Sequence, residues 1–187
     1  MQARARIRPT KPASPGKLTL VEHEYERKGA LNLFAAFDTR SGVVYGRCYE
    51  RKRQDEMIDF LEYLDGVTPP AVTIIHVVCD NGSVHRGKKV REWLAEHPRF
   101  IFHFTPVHCS WMNQVEQWFS IMQRKRLTIA DFASKADLEE KIYAFIEQWN
   151  ETAKAFKWSE NIKLKLDKLI AQVREKLSAT ENVAIAA

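Results

Sequence analysis

Residues 71–79 read Ala-Val-Thr-Ile-Ile-His-Val-Val-Cys and lead directly into Asp80-Asn81-Gly82. A continuous run rich in β-branched residues is typical of a strand that is buried on both faces, as a central sheet strand is. Asp-Asn-Gly is turn chemistry, so the strand is expected to end there. In open α/β sheets, ligand-binding groups gather just beyond the carboxyl ends of strands. Asp80 is therefore a candidate cleft residue, with an Asp that only stabilises its own turn as the competing interpretation.

The segments around this strand alternate between strand-like and helix-like patterns. Upstream, residues 31–37 and 43–49 predict a hairpin, and residues 53–65 carry apolar residues at helical spacing. Downstream, the same patterns predict a strand over 100–104 and helices over 87–97, about 110–127, 137–150 and 160–177. This order predicts an α/β domain, a mixed sheet flanked by helices.

Composition limits the class of protein. The 187 residues are 45% hydrophobic and 28% charged, which suits one globular domain with a small appendage. No apolar run is long enough to span a membrane and the N-terminus has no signal-peptide core, so we expect a cytoplasmic protein. The three cysteines are far apart, which argues against a disulfide framework or a zinc knot and favours reduced thiols.

The charge pattern favours a polyanionic partner. The formal net charge is +5, which fits a nucleic acid but does not establish one. Two basic clusters could hold DNA phosphates without reading sequence: Arg86, Lys88, Lys89 and Arg91, and then Arg124, Lys125 and Arg126. The second cluster could instead complement a helix dipole.

Residues 1–17 form a third basic segment, which contains prolines and no acid. They predict an extended arm or a loop lying over the rest of the chain, and both a solvated tail and a DNA-contacting arm remain open.

Glu116 is the second candidate acid. In the predicted helix it lies at the border of the apolar stripe, on a polar ridge that also contains Asn113 one turn upstream. A partly desolvated carboxylate there would need a cation or a hydrogen-bond donor, and Asn113 could orient it. A border glutamate that extends to solvent is the alternative.

Two carboxylates from different elements suit metal-dependent phosphoryl transfer. Mg²⁺ prefers oxygen ligands, and two such ions about 3.5–4 Å apart can stabilise the attacking and leaving oxygens of an in-line displacement. His85 follows Asp80 by five residues and could face the same cleft, or could be a packing or surface histidine. The spacing of His103, His108 and Cys109 fits no familiar zinc pattern.

Three ordered motifs carry a resemblance to a known family: Asp80-Asn-Gly-Ser-Val-His85, then His103-Phe-Thr-Pro106, then the segment from Ser110 to Phe119 that contains Asn113 and Glu116. Together they resemble the IS630 family of bacterial insertion-sequence transposases, which is related to the Tc1/mariner group. The resemblance runs from roughly residue 20 to 150. The 35 residues from 81 through 115 are similar to the family's spacing between its second and third catalytic acids.

The resemblance implies an RNase H-like fold and strand cleavage and strand transfer at transposon ends, dependent on Mg²⁺ or Mn²⁺. It implies that Asp80 and Glu116 coordinate the metal ions, supported by Asn81, His85 and Asn113. The implied partners are transposon-end and target DNA and a second copy of the chain, in a bacterial cytoplasm in association with the nucleoid.

The chain departs from the family at its N-terminal side. The family's first catalytic Asp lies on the opening strand of the fold, whereas here the hairpin begins near residue 31 and no acid precedes Glu22. We therefore expect the opening strand and its Asp to be missing and the chain to be inactive alone. Asp38 ends a core strand, but Asp38 to Gly42 is natural turn chemistry, so a turn role is favoured over replacement of the missing acid.

The expected organisation is a basic arm over residues 1–20, a partial catalytic domain over 21–155, and a C-terminal helix with a tail over 156–187. Two other functions stay open. One is a non-catalytic DNA-binding remnant or regulator of a transposase. The other is a metal-dependent phosphoesterase that acts on small substrates.

Overall fold

The computed structural model describes residues 1–7, 14–16, 24–106, 109, 112–128 and 130–157, together with 162, 164, 167, 168 and 170–172. The chain divides into two compact units, residues 1–155 and 156–187. In the second unit the seven residues described between 162 and 172 are helical. Most of the helix predicted over 160–177 lies outside the described residues. No helix within the described part is both long and apolar enough to cross a bilayer.

The first unit contains six strands and five helices among its described residues. The strands are β1 (Gln2–Arg6), β2 (Tyr25–Ala30), β3 (Asn32–Phe37), β4 (Val44–Tyr49), β5 (Ile75–Cys79) and β6 (Phe100–Phe104). The helices are α1 (Gln54–Val67), α2 (Ser83–Arg86), α3 (Lys88–Glu96), α4 (Gln114–Met122) and α5 (Lys135–Glu151), and a π-helical turn, Gln123–Leu127, follows α4. The prediction of an α/β domain is confirmed.

The strands form three two-stranded sheets, β1–β2, β3–β4 and β5–β6. The first two pairs are antiparallel and the third is parallel. The predicted hairpin is confirmed as β3–β4, with Phe37 opposite Val44. The predicted strand over 100–104 is confirmed as β6.

A tight turn closes the hairpin. The carboxylate of Asp38 accepts hydrogen bonds from the Arg40 backbone N–H (2.9 Å) and the Ser41 hydroxyl (2.6 Å). Gly42 has φ +82, a left-handed conformation that favours glycine, and a Cβ there would collide with the backbone of Lys154. The turn role of Asp38 is confirmed, because both of its oxygens are used inside the turn.

One hydrophobic cluster joins α1 and α3 to the hairpin and to the parallel pair. Its buried members are Phe34, Met57, Phe60, Leu61, Leu64, Val90, Trp93 and Phe100, and Ile75, Val77 and Phe102 pack against it. The apolar spacing that predicted α1 is confirmed. Both sheets therefore rest on the same helical layer.

The opposite side of the hairpin is covered by α4 and α5. Trp118 of α4 is fully buried, and its ring lies 5.9 Å from that of Phe145 in α5. Leu138 and Ile142, on the same face of α5, are also buried. The apolar stripes predicted for these two helices thus do face a core.

The prediction that residues 71–79 are buried on both faces is wrong. The strand begins only at Ile75, and Ile74 and Val78 are about half exposed, at 51% and 48%. Val77, which points to the opposite face of the strand from Val78, packs against the helices instead. The physical reason is that the described residues cover the other face of the β5–β6 pair only in part, and Ile101 of β6 is also exposed there, at 38%.

Residues 2–6 are not a solvated tail, which was one of the two interpretations of the N-terminal segment. They form β1, which pairs with β2 in the register Gln2 to Ala30, and Ala3 is fully buried. Arg6 forms an ion pair with Asp131 at 3.0 Å. Residues 1–7 alternate between apolar and polar side chains, which is a strand signal that the basic charge and the following prolines concealed, whereas β2 has no such alternation; this sheet was not predicted.

Candidate active site

Asp80 lies immediately after β5, as predicted. Its Oδ1 accepts the Gly82 backbone N–H at 2.8 Å and lies 3.5 Å from Nε2 of His85. The side chain is 59% exposed, and no described residue donates a hydrogen bond to Oδ2. One oxygen therefore stabilises the turn while the other faces solvent, so the turn and cleft interpretations of Asp80 are compatible.

Asn81 ties together the ends of the two parallel strands. Its Nδ2 donates to the Thr105 carbonyl oxygen at 2.6 Å, and its Oδ1 accepts from Nη1 of Arg86 at 3.1 Å. The Thr105 N–H in turn donates to the Cys79 carbonyl at 2.9 Å. These bonds between the ends of β5 and β6 hold the loop that carries Asp80. Thr105 is a supporting residue that the sequence reasoning quoted only as part of a motif.

His85 lies in α2, largely buried, with a side chain that is 16% exposed. Burial lowers its pKa, the nearby Asp80 carboxylate opposes that shift, and Lys52 adds to it. The imidazole is therefore mainly neutral at neutral pH. Its Nδ1 is buried and has no hydrogen-bond partner among the described residues. His85 thus lies against the same loop as Asp80, as its spacing in the sequence suggested.

Glu116 lies in the first turn of α4, where a carboxylate interacts favourably with the positive end of the helix dipole. It is exposed, so the expectation of a partly desolvated border position is wrong. The helix begins at Gln114 with Asn113 as its N-cap, and the Asn113 carbonyl accepts the Glu116 N–H at 3.1 Å. Asn113 thus holds the start of the helix through its backbone, and its side chain makes no cap hydrogen bond.

The buried face of α4 contains Trp118 and Met122, as the predicted apolar stripe does, together with Gln114, which the stripe did not include. The buried positions are Gln114, Trp118 and Met122, at a spacing of four. Oε1 of Gln114 and Nε1 of Trp118 are both buried without a hydrogen-bond partner in the described part of the chain. The spacing to Trp118 was the available signal for Gln114, but a polar residue is not expected on such a ridge.

The first basic cluster is already engaged in local contacts. Lys89 pairs with Asp55 at 2.6 Å and Lys88 with Glu92 at 3.6 Å. Arg91 donates to the Arg86 carbonyl oxygen at 3.0 Å. Exposed ion pairs contribute little free energy, so the two lysines could exchange these partners for phosphates.

The second basic cluster lies on the π-helical turn after α4. Arg124, Lys125 and Arg126 are exposed there. Arg126 bonds the side chain of Gln148 and lies over the ring of Phe145, 5.8 Å from its centroid.

The structure brings Asp80, Asn81, His85 and Arg86 together, but no hydrogen bond or ion pair in the described part joins them to Glu116. Among the described residues, no group of three or more His, Cys, Asp or Glu side chains is placed to hold a metal ion. Nε2 of His103, which was considered for zinc, instead lies 2.9 Å from Nδ1 of His76. Its other candidate neighbour, His108, lies outside the described residues.

Comparison with known proteins gives two matches. Residues 1–139 match the model of a family described as DDE superfamily endonuclease. The chain is also 29% identical over 90 residues to the "Insertion element IS630 uncharacterized 39 kDa protein" of Shigella sonnei. That alignment covers 48% of this chain and 26% of the relative, so the chain spans about a quarter of the relative's length in the matched region.

Proposed function

Since the chain belongs to the DDE superfamily of endonucleases and contains an IS630-like transposase domain, we propose that it is the catalytic portion of an insertion-sequence transposase. Its chemistry would be DNA strand cleavage followed by strand transfer. One observation carries the proposal beyond the family: the Asp80 carboxylate stands at the carboxyl end of β5, braced through Gly82, with Oδ2 directed to solvent. Carboxylates at this edge of a sheet are placed to meet a ligand.

The proposed fold is RNase H-like and lacks its first strand. One feature supports this: the antiparallel pair β3–β4 and the parallel pair β5–β6 pack on the same helices without being hydrogen-bonded to each other.

The donor atoms fit a divalent cation in kind but are too few. Asp80 and Glu116 offer the oxygen ligands that Mg²⁺ or Mn²⁺ prefers, and both side chains are exposed. We do not propose Asp38 as a third carboxylate, because each of its oxygens accepts a hydrogen bond in the hairpin turn. We therefore propose that this chain does not cleave DNA alone.

The proposed partners are transposon-end DNA and target DNA, with a second copy of the chain in the active assembly. The basic clusters around residues 86–91 and 124–126 would hold the phosphates without sequence specificity. The setting would be a bacterial cytoplasm, with the protein associated with the nucleoid.

The alternative is a non-catalytic DNA-binding remnant or regulator of a transposase. The incomplete carboxylate set favours it, because binding through the basic clusters needs no metal. The two proposals share DNA binding and differ in whether Asp80 and Glu116 have a role.

Metal binding separates the two. Mn²⁺ binding to the purified chain, followed by electron paramagnetic resonance, should be weakened by Asp80→Asn and by Glu116→Gln. The matched control is Glu92→Gln, which removes an exposed carboxylate that pairs with Lys88 and should leave binding unchanged. Equal Mn²⁺ binding in all four proteins would favour the remnant.

A nicking assay on DNA that carries the element's ends tests the predicted inactivity. We expect no strand cleavage in Mg²⁺ or Mn²⁺. Cleavage by this chain that disappears in Glu116→Ala would show that the site is complete without a further acid.

DNA binding is tested by its salt dependence. Replacing Arg124, Lys125 and Arg126 together by Gln should lower the slope of log K against log salt by about 2 to 3, since each phosphate contact contributes roughly 0.9. Lys28→Gln, which removes a β2 lysine paired with Glu26, should leave the slope unchanged. An unchanged slope in the triple variant would remove this turn from the DNA interface.

A further inference from the structure

Two histidines meet on the outer face of the parallel pair β5–β6. Nδ1 of His76 lies 2.9 Å from Nε2 of His103, and the two ring centroids are 5.1 Å apart at an interplanar angle of 42°. Both residues are exposed. Neither lies in the loop that carries Asp80, so the candidate active site leaves this pair without a role.

The register of the two strands explains why the rings meet. His76 is opposite Ile101, and His103 is opposite Val78. The histidines are therefore diagonal neighbours on one face of adjacent strands, a separation that long and aromatic side chains can bridge.

Backbone hydrogen bonds close the strand pair at both of its ends. The Ile75 N–H donates to the Arg99 carbonyl at 2.7 Å, and the Thr105 N–H donates to the Cys79 carbonyl at 2.9 Å. The two histidines lie between these bonds. The backbone thus holds both rings near each other before any ligand binds, which reduces the entropy that is lost on binding.

The contact between the rings uses one nitrogen of each. A neutral imidazole has one N–H donor and one acceptor nitrogen, so one ring donates this hydrogen bond and the other accepts it. The outer nitrogens, Nε2 of His76 and Nδ1 of His103, have no hydrogen-bond partner among the described residues. The donating ring can therefore carry its proton on its outer nitrogen instead. Both inner nitrogens, Nδ1 of His76 and Nε2 of His103, then direct lone pairs toward the same point.

The distance between the inner nitrogens suits a shared metal ion. A metal–imidazole bond is about 2.0–2.1 Å long, so two nitrogens bound at a right angle lie about 2.9 Å apart and two bound at a tetrahedral angle about 3.3 Å apart. The 2.9 Å between His76 and His103 matches the right angle, which is the geometry of the square-planar and tetragonal sites of Cu²⁺ and Ni²⁺. An N–H···N hydrogen bond has a similar length, so the same ring positions serve the chain with and without an ion.

The surroundings of the pair select the class of ion. Val78 and Ile101, which lie on the same face, are apolar side chains with exposures of 48% and 38%. Of the described histidines, His85 alone lies within ion-pair distance of a carboxylate. Two neutral nitrogens suit Cu²⁺, Ni²⁺ and Zn²⁺, whereas Mg²⁺ and Mn²⁺ prefer oxygen ligands.

We propose that His76 and His103 together bind one divalent transition-metal ion, Cu²⁺ or Ni²⁺ in preference to Zn²⁺, with water completing its coordination. The ion joins β5 to β6, so it stabilises the parallel pair at whose end Asp80 lies. This nitrogen site is separate from the oxygen site proposed at Asp80 and Glu116, and it does not depend on nuclease activity.

Isothermal titration calorimetry of the full chain with Ni²⁺ tests the site. His76→Gln and His103→Gln should each weaken binding by about tenfold or more, because each leaves a single imidazole where two had held the ion. The matched control is His97→Gln, which removes a histidine whose Nδ1 contacts the Trp93 carbonyl oxygen at 2.7 Å, and it should leave Ni²⁺ binding unchanged. Binding that remains in the double variant His76→Gln/His103→Gln belongs to other groups and is subtracted.

Two histidines that bind independently would give a different result. Each single variant would then lose one binding event and keep the affinity of the other, which would overturn the proposal. Binding of Mg²⁺ that is weakened by the same two substitutions would also overturn it. The Mn²⁺ measurement on Asp80→Asn and Glu116→Gln has its own outcome, so the two metal proposals can fail separately.

NMR spectra of the unmodified chain decide the question if circular dichroism shows that a histidine variant does not fold. Paramagnetic Ni²⁺ should broaden the amide resonances of Val78 and Ile101 before those of residues outside β5 and β6, and Mg²⁺ at the same concentration should not. Broadening that is centred outside these two strands would overturn the proposal.

Discussion

Asn81 holds the site loop by two hydrogen bonds, and its removal gives the sharpest test of how Asp80 is positioned. The change Asn81→Ala deletes the bond from Nδ2 to the Thr105 carbonyl (2.6 Å) and the acceptor of the Arg86 guanidinium (3.1 Å). Thr105 is buried, so its carbonyl would lose a donor where water has limited access. The Arg86 bond is exposed, and water can replace it.

The expected loss follows from these two environments. A net hydrogen bond contributes about 1 kcal/mol, and an acceptor left without a partner in a buried position costs roughly 1–3 kcal/mol. The exposed Arg86 bond adds little. We therefore expect Asn81→Ala to lower the free energy of unfolding by about 1.5–3 kcal/mol.

Urea unfolding followed by tryptophan fluorescence measures this loss. The matched control is Asn32→Ala, which removes an exposed side-chain bond from Asn32 to the Glu50 carbonyl (3.2 Å) and should cost less than about 0.5 kcal/mol. Equal losses in the two variants would refute the claim that Asn81 braces the strand ends. Asn81→Asp, which keeps the acceptor for Arg86 but removes the donor to Thr105, should resemble the alanine variant.

Three further changes test the fold around the site. Gly42→Ala places a Cβ against backbone at a residue of φ +82 and should lower the free energy of unfolding by more than about 1 kcal/mol. Gly66→Ala, inside α1 with open space around it, should instead raise the free energy of unfolding by about 0.5–1 kcal/mol. A similar effect at both glycines would contradict this expectation. Asn150 covers the outer edge of β4, because its side chain accepts the Val44 N–H at 2.8 Å and donates to the Val44 carbonyl at 2.9 Å. Asn150→Leu should therefore cost about 2–4 kcal/mol and promote association through that edge, measured by analytical ultracentrifugation against Glu151→Gln. A monomer of unchanged stability would count against this role of Asn150. Burial alone would raise the pKa of Asp38, but hydrogen bonds from Ser41 and the turn backbone outweigh it and lower that pKa. The stability that Asp38 contributes is therefore present above its unfolded pKa, near 4, and is lost as the pH falls through the folded pKa. The difference in the free energy of unfolding between the wild-type chain and Asp38→Asn, measured in urea, should shrink below about pH 4. A difference that does not change with pH would contradict the turn assignment.

The local elements around the site could be predicted from the sequence, whereas the surroundings of β5 could not. Alternation and helical spacing are local signals, and they placed the hairpin, α1, α3 and β6. Whether Val78 is covered depends on which elements pack against its face of the sheet. The run at 71–79 is typical of a strand with two covered faces, and the described structure covers the second face only in part.

The β1–β2 sheet escaped prediction for a related reason. All of β2 is exposed, and it lacks the apolar alternation that marks a half-buried strand. Residues 1–7 do alternate between apolar and polar side chains, but one alternating segment does not identify the strand with which it pairs. The pairing depends on long-range contacts instead, such as the Arg4 carbonyl that accepts the Phe132 N–H at 2.9 Å. Such contacts leave no periodic signal in the segment itself.

The structural evidence for a role in metal binding differs between Asp80 and Glu116. Of the described aspartates in residues 1–155, Asp55, Asp59, Asp65, Asp131 and Asp137 each pair with a lysine or arginine. Asp38 has both oxygens in its turn. Asp80 is left with one oxygen that no described group holds, beside a histidine whose lowered pKa keeps it mainly neutral. No described lysine or arginine lies within ion-pair distance of Asp80, so its second oxygen is open to a cation.

The structure does not set Glu116 apart from other exposed glutamates in the way that it sets Asp80 apart from the other aspartates. It is an exposed glutamate at a helix start, and so its position would be equally well explained by the helix dipole. Its assignment as a ligand depends on the motif from Ser110 to Phe119 and on family membership. The Mn²⁺ measurement is therefore more decisive for Glu116→Gln than for Asp80→Asn, because a loss of binding in the Glu116 variant would join two parts of the chain that no described hydrogen bond or ion pair connects.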